Sequence, residues 1–181
     1  MKTIGACLLA LAAMTICVPA AQAQEAGQKA FELYTGYYVP GIDDLDNDVT
    51  YGVRFGMRPA EQFGWSLQAG YLDLNQNNVE PLDGIVGNAN GYFVDASAIW
   101  YVAGSDFGIF GGIGFGSVDV DIVGTTTDVS DDAFTYNYGV HYAWNFAERF
   151  VVKPEARWRK WDGDTYEKTD EEYSISFGWR F

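Results

Sequence analysis

Few side chains in this sequence could carry chemistry. His141 is the only histidine, so it is the only candidate imidazole base. The run Asp44-Leu45-Asp46-Asn47-Asp48 places carboxylates at every second residue, like the start of an EF-hand loop. Val49 stands where the turn glycine belongs, however, and Phe55 where the bidentate glutamate belongs, which rejects an EF-hand. Asp44, Asp46 and Asp48 remain as loose candidates for Ca²⁺ or Mg²⁺, since oxygen ligands suit hard cations. The two cysteines, Cys7 and Cys17, lie in the first 17 residues. No zinc spacing, haem motif or phosphate-cradling glycine loop occurs, and no cofactor is indicated. A last set of charges, Glu32, Arg54, Arg58, Asp95, Lys153, Glu155, Arg157 and Arg180, is scattered along the chain and gains meaning only from the elements that carry it.

Those elements follow an apolar leader. Lys2 is the only charge before Glu25, residues 4–18 are apolar, and Ala21-Gln22-Ala23 fits a small-x-small cleavage site. Fifteen apolar residues are short for the roughly 20 that span a bilayer. The leader therefore predicts a cleaved signal peptide over residues 1–23, leaving 181 − 23 = 158 residues as one domain over 24–181. Both cysteines would leave with it, so disulfides, thiolate metal sites and cysteine nucleophiles are not expected in the mature chain. The formal charge is −14 over 181 residues, which excludes a sequence-independent nucleic-acid binder needing a basic face. Aromatics at 17% and hydrophobics at 48% exclude a disordered chain.

Beyond the leader no run of about 18 apolar residues survives. What recurs is alternation with period two, the mark of strands with unlike faces. Tyr173, Ile175, Phe177, Trp179 and Phe181 fall on one face, and Ser174, Ser176, Gly178 and Arg180 on the other. Seven earlier segments repeat the division, from Phe31 and Leu33 against Glu32 and Tyr34 to Val152 and Trp158 against Lys153, Glu155, Arg157 and Arg159. Pro154 interrupts the last of these, since proline cannot donate to a ladder. The glycines of 108–116 alternate within a strand, making room on one face rather than cradling phosphate.

Eight such strands predict an antiparallel barrel, all-β. A soluble barrel would turn its apolar face inward, but an eight-stranded interior is only wide enough for a filling of side chains. More than thirty bulky apolar groups would not fit it, whereas the Gly, Ser, Arg and Glu set would. The aromatic face should then point outward, which is tolerable only in lipid. Short connections (59–63, 103–106, 145–149) alternate with long ones (41–49, 73–90, 119–131, 162–170), as expected of tight periplasmic turns and longer extracellular loops. Trp65, Trp100, Trp144 and Trp179 should form an interfacial girdle at one rim, and Tyr37, Tyr71 and Tyr92 at the other.

This pattern resembles the small outer-membrane β-barrel family, the OmpA-like and OmpX-like eight-stranded barrels of Gram-negative bacteria. The resemblance rests on Tyr173-Ser-Ile-Ser-Phe-Gly-Trp-Arg-Phe181 with its terminal Phe, and on Phe110-Gly-Gly-Ile-Gly-Phe-Gly116. It implies location in the cell outer membrane. It also implies that Tyr173, Ile175, Phe177, Trp179 and Phe181 form the signal read by the barrel-assembly machinery, and that outer-membrane lipids and lipopolysaccharide surround the barrel. Small barrels that deacylate lipid A carry a serine two residues after the histidine. Here that position is Ala143, so a satisfied interior histidine is expected and an enzyme is not.

The eight scattered charges then fall on the lumen face as three acids and five bases, predicting a salt-bridge network that fills the pore; the alternative is a narrow ion path gated by these pairs. The long connections hold fifteen acids, among them Asp73, Asp119, Asp162 and Asp170, against Lys168 alone. The expected function is a non-enzymatic barrel supporting envelope integrity and displaying acidic loops. A small pore or solute conduit, and an adhesin-like surface protein, are the alternatives.

Overall fold

The computed structural model describes residues 27–41, 48–74, 89–102, 105–121, 128–163 and 168–181. The leader, Asp44 and Asp46 lie outside these residues. The described chain is built of strands: β1 (Gln28–Val39), β2 (Asp48–Ala60), β3 (Phe63–Leu74), β4 (Ala89–Tyr101), β5 (Phe107–Asp121), β6 (Asp128–Tyr142), β7 (Trp144–Phe146), β8 (Phe150–Asp162) and β9 (Thr169–Arg180). Among the described residues no helix is long and apolar enough to cross a membrane.

From β1 to β6 each strand pairs antiparallel with the next, β6 and β7 both pair with β8, β8 pairs with β9, and β9 pairs with β1 to close the sheet. β6 and β7 are two segments of one strand along β8, broken at Ala143, so the barrel has eight staves. Pro154 sits at the break. The β6–β8 ladder runs to His141–Glu155 and resumes at Trp144–Val152, leaving the missing proline N–H without a ladder position to fill.

The pairing also fixes the barrel's stagger. The path Lys29–Met57–Trp65–Ala98–Gly111–Tyr138–Trp158–Glu171 returns to β1 at Val39, ten residues beyond its start (39 − 29). A stagger of that size in eight strands requires tilt, typically about 35–45°, and the strands are correspondingly long, 12 to 15 residues in β1 to β6. This corrects the expectation of long connections at 41–49, 73–90, 119–131 and 162–170. Asp48, Asp73, Asp119, Asp121, Asp128, Asp131, Asp162 and Asp170 are strand residues. Backbone pairing continues past the apolar band, and side-chain hydropathy records only the band.

The expected faces hold. Leu33 is 60% exposed and its neighbour Glu32 1%, an alternation that repeats along the staves. Trp100, Trp144 and Trp179 lie exposed towards the turn end, and Tyr37, Tyr51 and Tyr92 towards the loop end. An outward aromatic rim spans β7, β8 and β9, with Phe150 edge-on to Trp179 at 4.9 Å and 5.6 Å from Phe177.

The 147–149 turn carries one local misfit: Ala147 has φ of 50°, a left-handed conformation that costs an L-residue about 1 kcal/mol relative to glycine. Ala147→Gly is therefore expected to raise the denaturant midpoint of unfolding slightly. No change would mean that the turn's other bonds already hold the conformation at no cost.

Candidate functional site: the lumen

The inward parity of every stave supplies the lumen. Glycine is required where strands carry large inward neighbours: a Cβ on Gly70 would sit on the Tyr34 hydroxyl and 2.4 Å from Phe93. Small residues thus leave volume for guanidinium groups from β2 and β8 to cross the interior.

All eight charges expected in the lumen are buried there. They are joined by four acidic or basic groups outside that set: Arg159, already on the polar face of its strand, and Asp106, Asp170 and Glu172. Three acids and five bases become six and six, so the described lumen is formally neutral. Burial on this scale is tolerable only with pairing, and the pairing is continuous. Lys153 Nζ meets Glu32 Oε1; Glu32 Oε2 lies 3.4 Å from Arg54 Nη1. Arg54 Nη2 reaches Glu155 Oε1 at 2.8 Å, and Arg157 Nη2 reaches the same oxygen at 3.0 Å. Arg157 Nη1 bonds Asp95 Oδ2 at 3.0 Å, Arg159 Nη2 bonds it at 2.8 Å, and Arg159 Nη1 ends the series on Glu172 Oε2 at 3.2 Å. Base and acid alternate without interruption across Lys153, Glu32, Arg54, Glu155, Arg157, Asp95, Arg159 and Glu172. Neutral groups take part of what remains: the Ser176 hydroxyl donates to Glu32 at 2.7 Å, the Thr135 hydroxyl donates to Asp95 at 3.0 Å, and Gln68 Oε1 accepts Arg54 at 2.8 and 3.1 Å.

Both ends of this ladder are covered. Towards the loops lies a cluster of Tyr34, Tyr38, Leu72, Phe93, Ala133 and Trp161. There the Trp161 indole N–H donates to the Tyr38 hydroxyl at 3.1 Å, and Tyr38 donates to Asp170. Asp170 also accepts the Gly41 N–H at 2.7 Å. The expectation that placed Asp170 in an exposed acidic loop is thereby corrected: it is a lumen carboxylate tying β1 to β9. Towards the turns, Ile99, Tyr101 and Phe110 form a second cluster. Arg58 stacks over the Tyr101 ring at 3.9 Å and pairs with Asp106 at 3.2 Å, while Arg180 donates to the Ala147 and Glu148 carbonyls at 3.2 and 3.1 Å.

His141 is buried on the lumen face, 3.9 Å through Nδ1 from Glu155 and stacked on Phe110 at 5.9 Å. A Cβ at Gly108 would lie 2.5 Å from its Nε2, so glycine makes its space. Its surroundings are the Phe110 and Tyr101 rings and an ion-paired carboxylate, and its Nε2 has no hydrogen-bond partner among the described residues, so the histidine is interior as expected but not satisfied. Of the loose cation candidates, Asp48 is described, and its carboxylate accepts the Val49 N–H at 2.7 Å. Among the described residues no group of three or more potential ligands clusters for a metal. The five residues Tyr173, Ile175, Phe177, Trp179 and Phe181 line the outward face of β9 and its end.

Comparison with known proteins adds to this geometry. A family profile described as outer membrane protein beta-barrel domain matches residues 8–181. No curated protein sequence matches the chain. Among solved structures, the chain is similar to Ail, the attachment invasion locus protein of Yersinia pestis (16% identity, TM-score 0.57, covering 87% of this chain and 100% of that one). It is similar to Neisserial surface protein A (10%, 0.63, 86% and 98%) and to the outer membrane protein OprG of Pseudomonas aeruginosa (14%, 0.54, 89% and 99%). At these identities the likeness is one of fold.

Proposed function

We propose, from the premise that this chain belongs to the outer membrane protein β-barrel family, that it acts as a closed, non-catalytic stave of the envelope which strengthens the outer membrane and holds acidic loops at its outer face. The observation that supports this most is the lumen: an alternating ion-pair ladder, covered at one end by the Tyr34–Trp161 cluster and at the other by Ile99, Tyr101 and Phe110. A structural barrel needs such a filling, whereas a conduit needs an unobstructed path. Asp48, Asp73, Asp119, Asp132 and Asp162 stand at the loop ends of their strands, where divalent cations could bridge them to lipid phosphates.

In planar bilayers the purified chain is expected to give no discrete conductance steps, and Arg54→Gln or Arg157→Gln to leave that silence unchanged. Stable steps that the substitutions alter would replace the structural role with a gated pore. Cells lacking the protein should take up a hydrophobic dye faster, with the defect deepened by chelator. Wild-type uptake in both conditions would remove the envelope role.

A further inference from the structure

We propose that the turn end of β9 is a seat for the headgroup of an anionic glycerophospholipid, gripped by Lys29 and Arg149. Of the eleven Lys and Arg in the sequence, six point into the lumen, and only Lys29, Arg149, Lys160 and Lys168 are described as exposed. Two of these bracket one strand end. The Arg149 carbonyl accepts the Arg180 N–H at 2.7 Å on one side; on the other, Lys29 and Phe181 exchange backbone bonds at 3.0 and 3.2 Å. Their backbones are thus separated by two strand spacings, about 10 Å, a gap that two long basic side chains can close on a single phosphodiester.

Charge and apolar surface coincide here. Neither Lys29 nor Arg149 forms an ion pair among the described residues, and Arg180 just inside the wall donates to carbonyls rather than to a carboxylate. The acids described at this end are Glu61 in the β2–β3 turn, Glu148 beside Arg149, and Asp106, which is buried against Arg58. The exposed lysines of the loop end, Lys160 and Lys168, instead share their hairpin with Asp162 and Glu171. Arg149 lies 5.8 Å over the Trp179 ring, and Trp179, Phe150 and Phe177 make the outward aromatic cluster directly above it. A base at headgroup depth with aromatic rings on its membrane side matches a phosphate above its acyl chains. Short turns of such barrels face the periplasm, so the occupant is a phospholipid of that leaflet.

The test is native mass spectrometry of the full folded chain released from micelles doped in turn with phosphatidylglycerol, phosphatidylethanolamine or lipopolysaccharide. The wild type should retain one phosphatidylglycerol, and the Lys29→Gln/Arg149→Gln variant should lose about tenfold of that retention. Lys160→Gln/Lys168→Gln should retain it as the wild type does. Both variants change exposed side chains, and heat-modifiable gel mobility verifies that each is folded. Unchanged retention in the first variant, equal loss in the second, or preference for phosphatidylethanolamine or lipopolysaccharide overturns the assignment.

Discussion

Replacing Asp95 by Asn is expected to lower the unfolding free energy of the barrel by about 3–5 kcal/mol, the usual cost of breaking a buried charge pair from one side. Asp95, like Glu155, lies between two guanidiniums: its Oδ2 accepts Arg157 at 3.0 Å and Arg159 at 2.8 Å, and its Oδ1 accepts Thr135. Asn keeps the volume and removes the charge, leaving two adjacent cations in the interior with one acid each, Glu155 and Glu172. Lys153→Met removes the ladder's terminal base, which lies nearest solvent, and leaves Glu32 with Arg54 and Ser176. Its loss should be smaller, about 1–2 kcal/mol. Urea unfolding in lipid vesicles, followed by tryptophan emission, measures both. Equal effects would show that the pairs act separately and that the ladder is not one unit. Coupling is checked by Asp95→Asn/Arg157→Met, which should recover part of the single-variant loss.

A methyl group added to Gly114 should cost about 2 kcal/mol or more, while the same change three residues earlier should cost nothing. A Cβ on Gly114 would stand 2.1 Å from Asp95 Oδ1, 2.5 Å from the Val94 carbonyl and 2.6 Å from Thr135 Oγ1. The carbonyl belongs to the paired strand and cannot move aside, so the methyl must displace the carboxylate that both arginines share. Gly111 points outward, and its Cβ would find nothing nearer than a carbonyl at 3.9 Å. Gly111→Ala should thus be neutral or stabilise by up to about 1 kcal/mol through reduced freedom of the unfolded chain. The same unfolding assay ranks the two; a destabilised Gly111→Ala beside an unaffected Gly114→Ala would reverse the assigned faces of β5.

Much of this was legible in the chain because a barrel writes its two faces at alternate residues. Leu33 and Glu32, or Ile175 and Ser176, can be sorted without any knowledge of their neighbours. The lumen's membership was less legible where alternation ran into acidic sequence. Glu172 and Asp170 continue the inward parity of Arg180, Gly178, Ser176 and Ser174, so the signal existed, but an acidic stretch reads as loop when hydropathy alone decides where a strand ends. Trp161 likewise continues the parity of Arg157 and Arg159 although aromatics mostly face outward, and its indole is needed to cover the ladder beside Tyr38. Asp106 carried no periodic signal, since it lies in a turn and meets Arg58 only because the turn folds under the lumen. Partners separated by 48 or 101 residues in the chain, as in Arg58 with Asp106 and Arg54 with Glu155, are properties of closure.

The order of charges in the ladder also discriminates between registers of the closed barrel. A sheet face tolerates slippage by two residues, since that keeps every apolar side chain in lipid. The hydrophobic pattern is therefore blind to such an error. On β8 the inward series is Lys153, Glu155, Arg157, Arg159. Sliding it by two would carry Arg157 to the level of Glu155, against Arg54, and set guanidinium against guanidinium where a bond of 2.8 Å belongs. Two like charges in a desolvated interior are strongly unfavourable, so a misregistered barrel is electrostatically incompatible with its own contents. Lipid selects which face turns outward, and the interior charges select which of the remaining registers may close.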